Sequence, residues 1–206
     1  MRRGPFLLIL FVAAAATVVA VMVAMFHDGL SARAVPSRLE ATLAKQARHL
    51  SIPLDARRTK NPLTATPQSL RDGRLHFADH CSVCHANDGS GVTMFGIGLY
   101  PKPPDMRTAE TQKLSDGELF WIIENGVRFT GMPAFSGHGN AEEDSWRLVH
   151  FIRHLPRLTP EEMAEMERYN PKGMEERIEE QEEDEFLNGG RLTKPQAGAK
   201  NVPKAQ

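Results

Sequence analysis

The chain has 206 residues, with 25 Lys plus Arg against 26 Asp plus Glu and a formal net charge of −1. That length fits one domain with extensions, or two small domains. The near balance of charge excludes nucleic acid as the main partner, because phosphate binding needs a basic surface. The charges are nonetheless segregated: 29–60 is basic, 161–185 is strongly acidic, and the stretch from Arg191 to Lys204 is lightly basic. Such blocks mark solvated tails and linkers rather than cores.

Residues 1–28 open with Arg2 and Arg3 and continue as an apolar run from Phe6 to Phe26, broken only by Thr17. As a helix rising about 1.5 Å per residue, the run reaches about 30 Å, the thickness of a bilayer core. A cleaved signal has a shorter apolar region, roughly 7–15 residues. Ala32-Arg33-Ala34 resembles a cleavage site but lies beyond the run and carries a charge. The segment therefore reads as an uncleaved anchor, with 6–26 in the membrane, rather than as a signal. Arg2 and Arg3 hold the N-terminus in the cytoplasm, although the basic stretch after the helix argues mildly against that orientation. Either way the bulk of the chain is expected outside the cytoplasm, on the periplasmic side of a bacterial-type inner membrane.

Residues 29–66 read as a basic linker with one short helix. Ser37 is its N-cap, with Glu40 at the capping-box position. Pro53, Pro62 and Pro67 follow without sustained periodicity, which predicts an extended spacer over 51–67. Residues 67–158 form the globular part. Thr66 caps a helix that has Pro67 at its first position and leads into Cys81. Glycines and prolines make 86–113 loop-rich. Ser115, Glu118 and Gly126 bound a helix over 115–127, and 141–155 is an amphipathic helix that Pro156 ends. No alternating β pattern and no repeat occurs. Residues 159–206 read as an acidic tail, solvated and partly helical, with a docking surface for a basic partner as the sharper alternative.

The two cysteines stand in Cys81-Ser-Val-Cys84-His85. A structural zinc site needs about four nitrogen or sulfur ligands. A thioredoxin-like dithiol needs strands around it. A disulfide across so short a loop removes little chain entropy. Cys-x-x-Cys-His fits the attachment of one haem c, both thiols joined to the vinyl groups as thioethers and His85 facing the iron. A small helical domain also benefits from a large buried cofactor.

For the sixth iron ligand, Met132 lies in a Gly/Pro loop able to present a thioether, with Met94 and Met106 as rivals; Met163 and Met166 read as helix-face residues of the tail. His138 is a weaker alternative in plain loop. A His85/Met132 pair favours the ferrous state and raises the potential. Arg128 is a candidate partner for a haem propionate, balanced against an ordinary surface arginine. His150 and His154 have i, i+4 spacing but no third ligand, and read as helix histidines. Phe120 and Trp121 read as packing against the cofactor.

With those residues placed, 68–157 resembles the class I c-type cytochromes, through the Cys81–His85 run, Pro-Pro-Asp-Met at 103–106, and the 114–135 and 146–155 segments. Around Met132 the wording is similar to haem domains of membrane oxidase and dehydrogenase c-type subunits. The resemblance implies an all-α haem domain with long Gly/Pro loops, here behind one N-terminal transmembrane helix. It implies that Gly73 and Phe77 cross the last helix at Phe151 or Trp146, and that the Pro104 carbonyl accepts the free N–H of His85. The anchor, the basic linker and the acidic tail lie outside the resemblance; joined to the anchor read from the apolar run, it implies a membrane-anchored electron carrier rather than an enzyme, working in a respiratory chain. Its partners are redox proteins or a larger membrane complex, with no small-molecule substrate. A peroxidase-like or ligand-sensing haem with a labile sixth ligand is the alternative.

Overall fold

The structure, a computed structural model, describes residues 3–27, 31–137, 141–173 and the single positions 176, 178, 179, 183, 184 and 187. Among them all regular structure is helical. Residues from Pro171 onward form a separate unit, in which the Gly173 N–H donates to Glu176 Oε2 at 2.9 Å. Arg2, His138 and the Arg191–Lys204 stretch lie outside the described residues.

Helix α1 spans Arg3–His27, with Pro5 in the first turn, where a missing N–H costs nothing. Its side chains are described at Pro5 and over 7–23, all exposed. Among the described residues no helix is long and apolar enough to cross a membrane.

Helix α2 is Arg38–Ser51. Ser37 Oγ accepts from the Glu40 N–H at 3.2 Å, but the expected capping box is only half made, because the Glu40 carboxylate accepts from the Tyr100 hydroxyl instead. The stretch expected to be an extended spacer is a strap laid along the domain. Ile52 is fully buried and α3 covers Leu54–Arg58. The Ala56 carbonyl sits against Gly117, closer than any Cβ would allow. Asn61 Nδ2 donates to the Trp146 carbonyl at 2.8 Å, and the His150 ring bonds the Leu63 carbonyl at 3.1 Å. The prolines remove helical periodicity, yet the chain still finds a pocket for Ile52 and partners for its backbone.

Helix α4 (Pro67–His76) starts as its capping residue predicts, Thr66 Oγ1 accepting from the Ser69 N–H at 3.0 Å. It crosses α8 (Ala141–His154) at Gly73, where the Arg147 carbonyl occupies the space of a Cβ. One turn on, Phe77 meets Phe151 edge-on at 5.1 Å. Both rings are fully buried, a burial worth about 2–3 kcal/mol each. Phe151 thus makes the crossing contact, while Trp146 stacks on Phe120 at 3.9 Å.

Two short elements follow, α5 (Ser82–His85) and α6 (Ala109–Gln112). Helix α7 (Asp116–Asn125) carries a complete capping box. The Glu118 N–H donates to Ser115 Oγ at 3.1 Å, and the Ser115 N–H to Glu118 Oε2 at 2.7 Å. Arg153 ties α8 to its start, donating to the Gln112 carbonyl at 2.7 Å and to Asp116 at 3.0 Å.

The acidic stretch expected in solvent begins with a packed helix. α9 (Pro160–Glu167) has a Thr159/Glu162 capping box and buries Met166 completely. Its carboxylates face the cations of α4. Arg74 Nη1 bonds Glu162 at 2.5 Å, Arg74 also pairs with Glu165, and Arg71 reaches Glu165 at 2.6 Å. The charge run that looks like a solvated face finds its counterions here.

Candidate functional site

The helix that delivers the cysteines widens into a π turn over Phe77–Cys81. Such turns are rare and concentrate at functional sites. Helix α5 then carries Cys84 and His85 and stops at Ala86, which has φ 60° and ψ 157°. That region is almost reserved for glycine and stores about 1–3 kcal/mol of strain in other residues.

The His85 ring is buried 6.5 Å from Phe77. Burial lowers its pKa to about 4, so the imidazole is neutral at pH 7. Its Nδ1 has no hydrogen-bond partner. A buried polar atom left unsatisfied costs about 1–3 kcal/mol.

Cys81 and Cys84 are not joined to each other. Burial, with the neighbouring Cys84 and Asp79 adding to it, pushes the Cys81 thiol up to about 12. Redox dithiols work through lowered pKa values; this thiol is tuned the other way.

The loop behind the motif wraps it with satisfied backbone. The Gly91 N–H donates to the His85 carbonyl at 2.8 Å. Thr93 Oγ1 donates to the Val83 carbonyl at 2.7 Å. A Cβ on Gly96 would stand 2.6 Å from the Cys84 carbonyl oxygen. While the polar atoms turn inward, Val92, Met94, Phe95 and Ile97 are exposed, apolar surface beside the cysteines with no side chain covering it. Two unjoined thiols, a buried neutral imidazole and an exposed apolar rim fit a haem.

Met132 is half-buried in a loop fastened to the end of α7. The Val127 N–H donates to the Met132 carbonyl at 3.1 Å, the Phe135 N–H to the Ile123 carbonyl at 3.1 Å, and the Met132 N–H to Thr130 Oγ1 at 3.1 Å. Gly126, at φ 64°, makes this possible: a Cβ there would lie 2.6 Å from the Pro133 carbonyl carbon and 2.7 Å from the Met132 oxygen. The loop also meets the motif's wrapping segment, since a Cβ on Gly131 would stand 2.8 Å from Leu99, which follows the Gly96–Gly98 turn. Of the rival sulfurs, Met94 is 81% exposed, and Met106 is 8% exposed within the core cluster.

The expected hydrogen bond from His85 to Pro104 is not formed, since Nδ1 has no partner. Pro104 is exposed. It is the Pro103 carbonyl that lies against Gly91, and the Met106 N–H is held by the Gly89 carbonyl at 2.8 Å, so this anchoring leaves Pro104 on the outside. Arg128 is exposed next to Phe129, whose φ is 62°. His150 and His154 serve separate partners, Leu63 and Glu162. Among the described residues no group of three or more His, Cys, Asp or Glu side chains could hold a metal ion.

Asn170 is a contributor that motif spacing does not reveal. Ser82 Oγ, inside the Cys-x-x-Cys turn, donates to the Ala78 carbonyl at 2.6 Å and lies 3.2 Å from the Asn170 amide. The signal for it in the chain is the Thr159-Pro-Glu-Glu162 start of α9, the helix that ends shortly before residue 170.

The helix crossing, the Cys-x-x-Cys-His turn and the fastened methionine loop are the parts that a c-type haem domain requires. Residues 68–152 match the family model described as "Cytochrome C oxidase, cbb3-type, subunit III". No curated protein matches the chain. That segment, fewer than half of the chain's residues, is similar to this cytochrome family.

Proposed function

We propose that the chain is a membrane-anchored, monohaem c-type cytochrome that passes single electrons between respiratory or dehydrogenase partners. It works alone or as a subunit of an oxidoreductase complex. The observation that carries this reading is His85, buried and neutral directly after two cysteines that are not joined to each other.

When bound, the haem supplies the one-electron ferric/ferrous couple. Cys81 and Cys84 would hold it through thioethers, and His85 and Met132 would ligate its iron, so that the group would carry electrons rather than bind a substrate. Neutral imidazole and thioether donors favour the reduced state. The wrapped 86–98 loop and the Phe77/Phe151 core keep water from His85. Arg128 stands exposed next to the methionine loop, free to approach a propionate. The matched model's description, an oxidase subunit, supports an electron-transfer partner in a membrane complex. The apolar run from Phe6 to Phe26 in the sequence is what supports an anchor in an inner membrane, with the haem domain on the periplasmic side.

Expression of the full chain in a host that matures c-type cytochromes tests this reading. A band that stains for haem after denaturation is expected in the membrane fraction, absent from the Cys81→Ala/Cys84→Ala variant. Haem that extracts freely into acid solvent, or a stained band in the soluble fraction, contradicts it.

A further inference from the structure

Helix α2 is amphipathic the wrong way round for a helix packed on a domain. Its polar face meets the protein: Lys45 pairs with Glu110 at 2.9 Å, His49 Nδ1 lies 3.2 Å from Glu118, and Glu40 accepts from the Tyr100 hydroxyl. No residue of the helix is buried. Leu39, Leu43 and Leu50 are 70%, 59% and 75% exposed. At 100° per residue, spacings of four and seven put these leucines within about 40° of arc, one stripe. A helix whose leucines face out while its salt bridges face in has an apolar partner elsewhere.

We propose that this stripe lies in the interface of the same bilayer that holds α1, making α2 a second, in-plane membrane contact that fixes how the haem domain sits at the surface. The proposal rests on the anchor reading of α1. Residues 28–37 join the two helices, a tether of at most about 40 Å, so α2 stays near the point where α1 leaves the membrane. Arg33 and Arg38 just before and at the start of the helix, and Arg58 and Lys60 soon after it along the chain, are exposed, matching anionic headgroups, and an apolar stripe with cations near it in the sequence is the composition of interfacial helices. A protein partner would offer an apolar groove but gives no reason for this cationic border.

The test uses full-length holoprotein in phosphatidylcholine vesicles containing a quarter phosphatidylglycerol. Haem attachment consumes Cys81 and Cys84, so one cysteine introduced as Leu43→Cys, Ala44→Cys or Val18→Cys takes a nitroxide label alone. A label at 43 is expected to show a several-fold higher ratio of oxygen to nickel-chelate accessibility than one at 44, on the flank of the helix. Equal ratios at the two positions overturn the proposal. So does a label at 43 shielded from both reagents, which reports a protein neighbour. The label at 18 reports on the anchor separately: deep in the bilayer if α1 spans it, in water if that reading fails.

Discussion

Ala86 and Gly126 are a matched pair. Both stand at positive φ beside an expected iron ligand, but only Gly126 is of the residue type that tolerates it. Ala86→Gly relieves about 1–3 kcal/mol of strain and gives back about 0.5–1 kcal/mol in unfolded-chain entropy. Urea unfolding of the holoprotein is expected to show a gain of about 1 kcal/mol, with an unchanged spectrum. Gly126→Ala does the reverse. The new methyl meets the backbone of Pro133 and Met132 at a φ that alanine resists, so a loss of about 3 kcal/mol or more is expected. Displacement of Met132 accompanies it, read as a rise in high-spin haem.

At the scale of elements, α9 is held by charge as well as by Met166. The Arg71 guanidinium, and then that of Arg74, hydrogen-bond the Glu165 carboxylate and hold it below the usual carboxylate range. A depressed folded-state value means that the stabilisation is complete above the ordinary pKa of about 4.5. It is lost as pH falls through the folded value. Docking of α9 is therefore expected to hold at neutral pH and to weaken below about pH 4.5, seen as the Met166 methyl resonance leaving its buried position. A resonance unmoved down to pH 3 would show that the carboxylates contribute nothing. The crossing of α4 and α8 depends on shape instead: Phe151→Ala is expected to cost about 3–5 kcal/mol in denaturant unfolding, largely independent of pH. Helices α4, α7 and α8 are legible along the chain because caps, periodicity and stop residues agree there. The 51–66 strap and α9 are not. Each is held by contacts with distant parts of the chain, made through Ile52 and Asn61 in the one case and through Met166 and the carboxylates facing Arg71 and Arg74 in the other, and a charge or proline run carries no trace of its partner.

For the whole molecule, the attachment turn was readable because three residues within five positions state their chemistry locally. The buried, neutral His85 and the fastened methionine loop are compatible with that reading. The position of Pro104 is not, since a backbone carbonyl's direction depends on the fold around 89–106 rather than on residue type. The central claim is that His85 and Met132 together make an electron carrier. The most direct measurement is the resting spectrum of the ferric holoprotein beside that of Met132→Ala. The account predicts low-spin iron with a far-red sulfur-to-iron charge-transfer band in the parent, and the loss of that band with a shift to high spin in the variant. High-spin iron in the unmutated protein, or a band that survives the substitution, would contradict it.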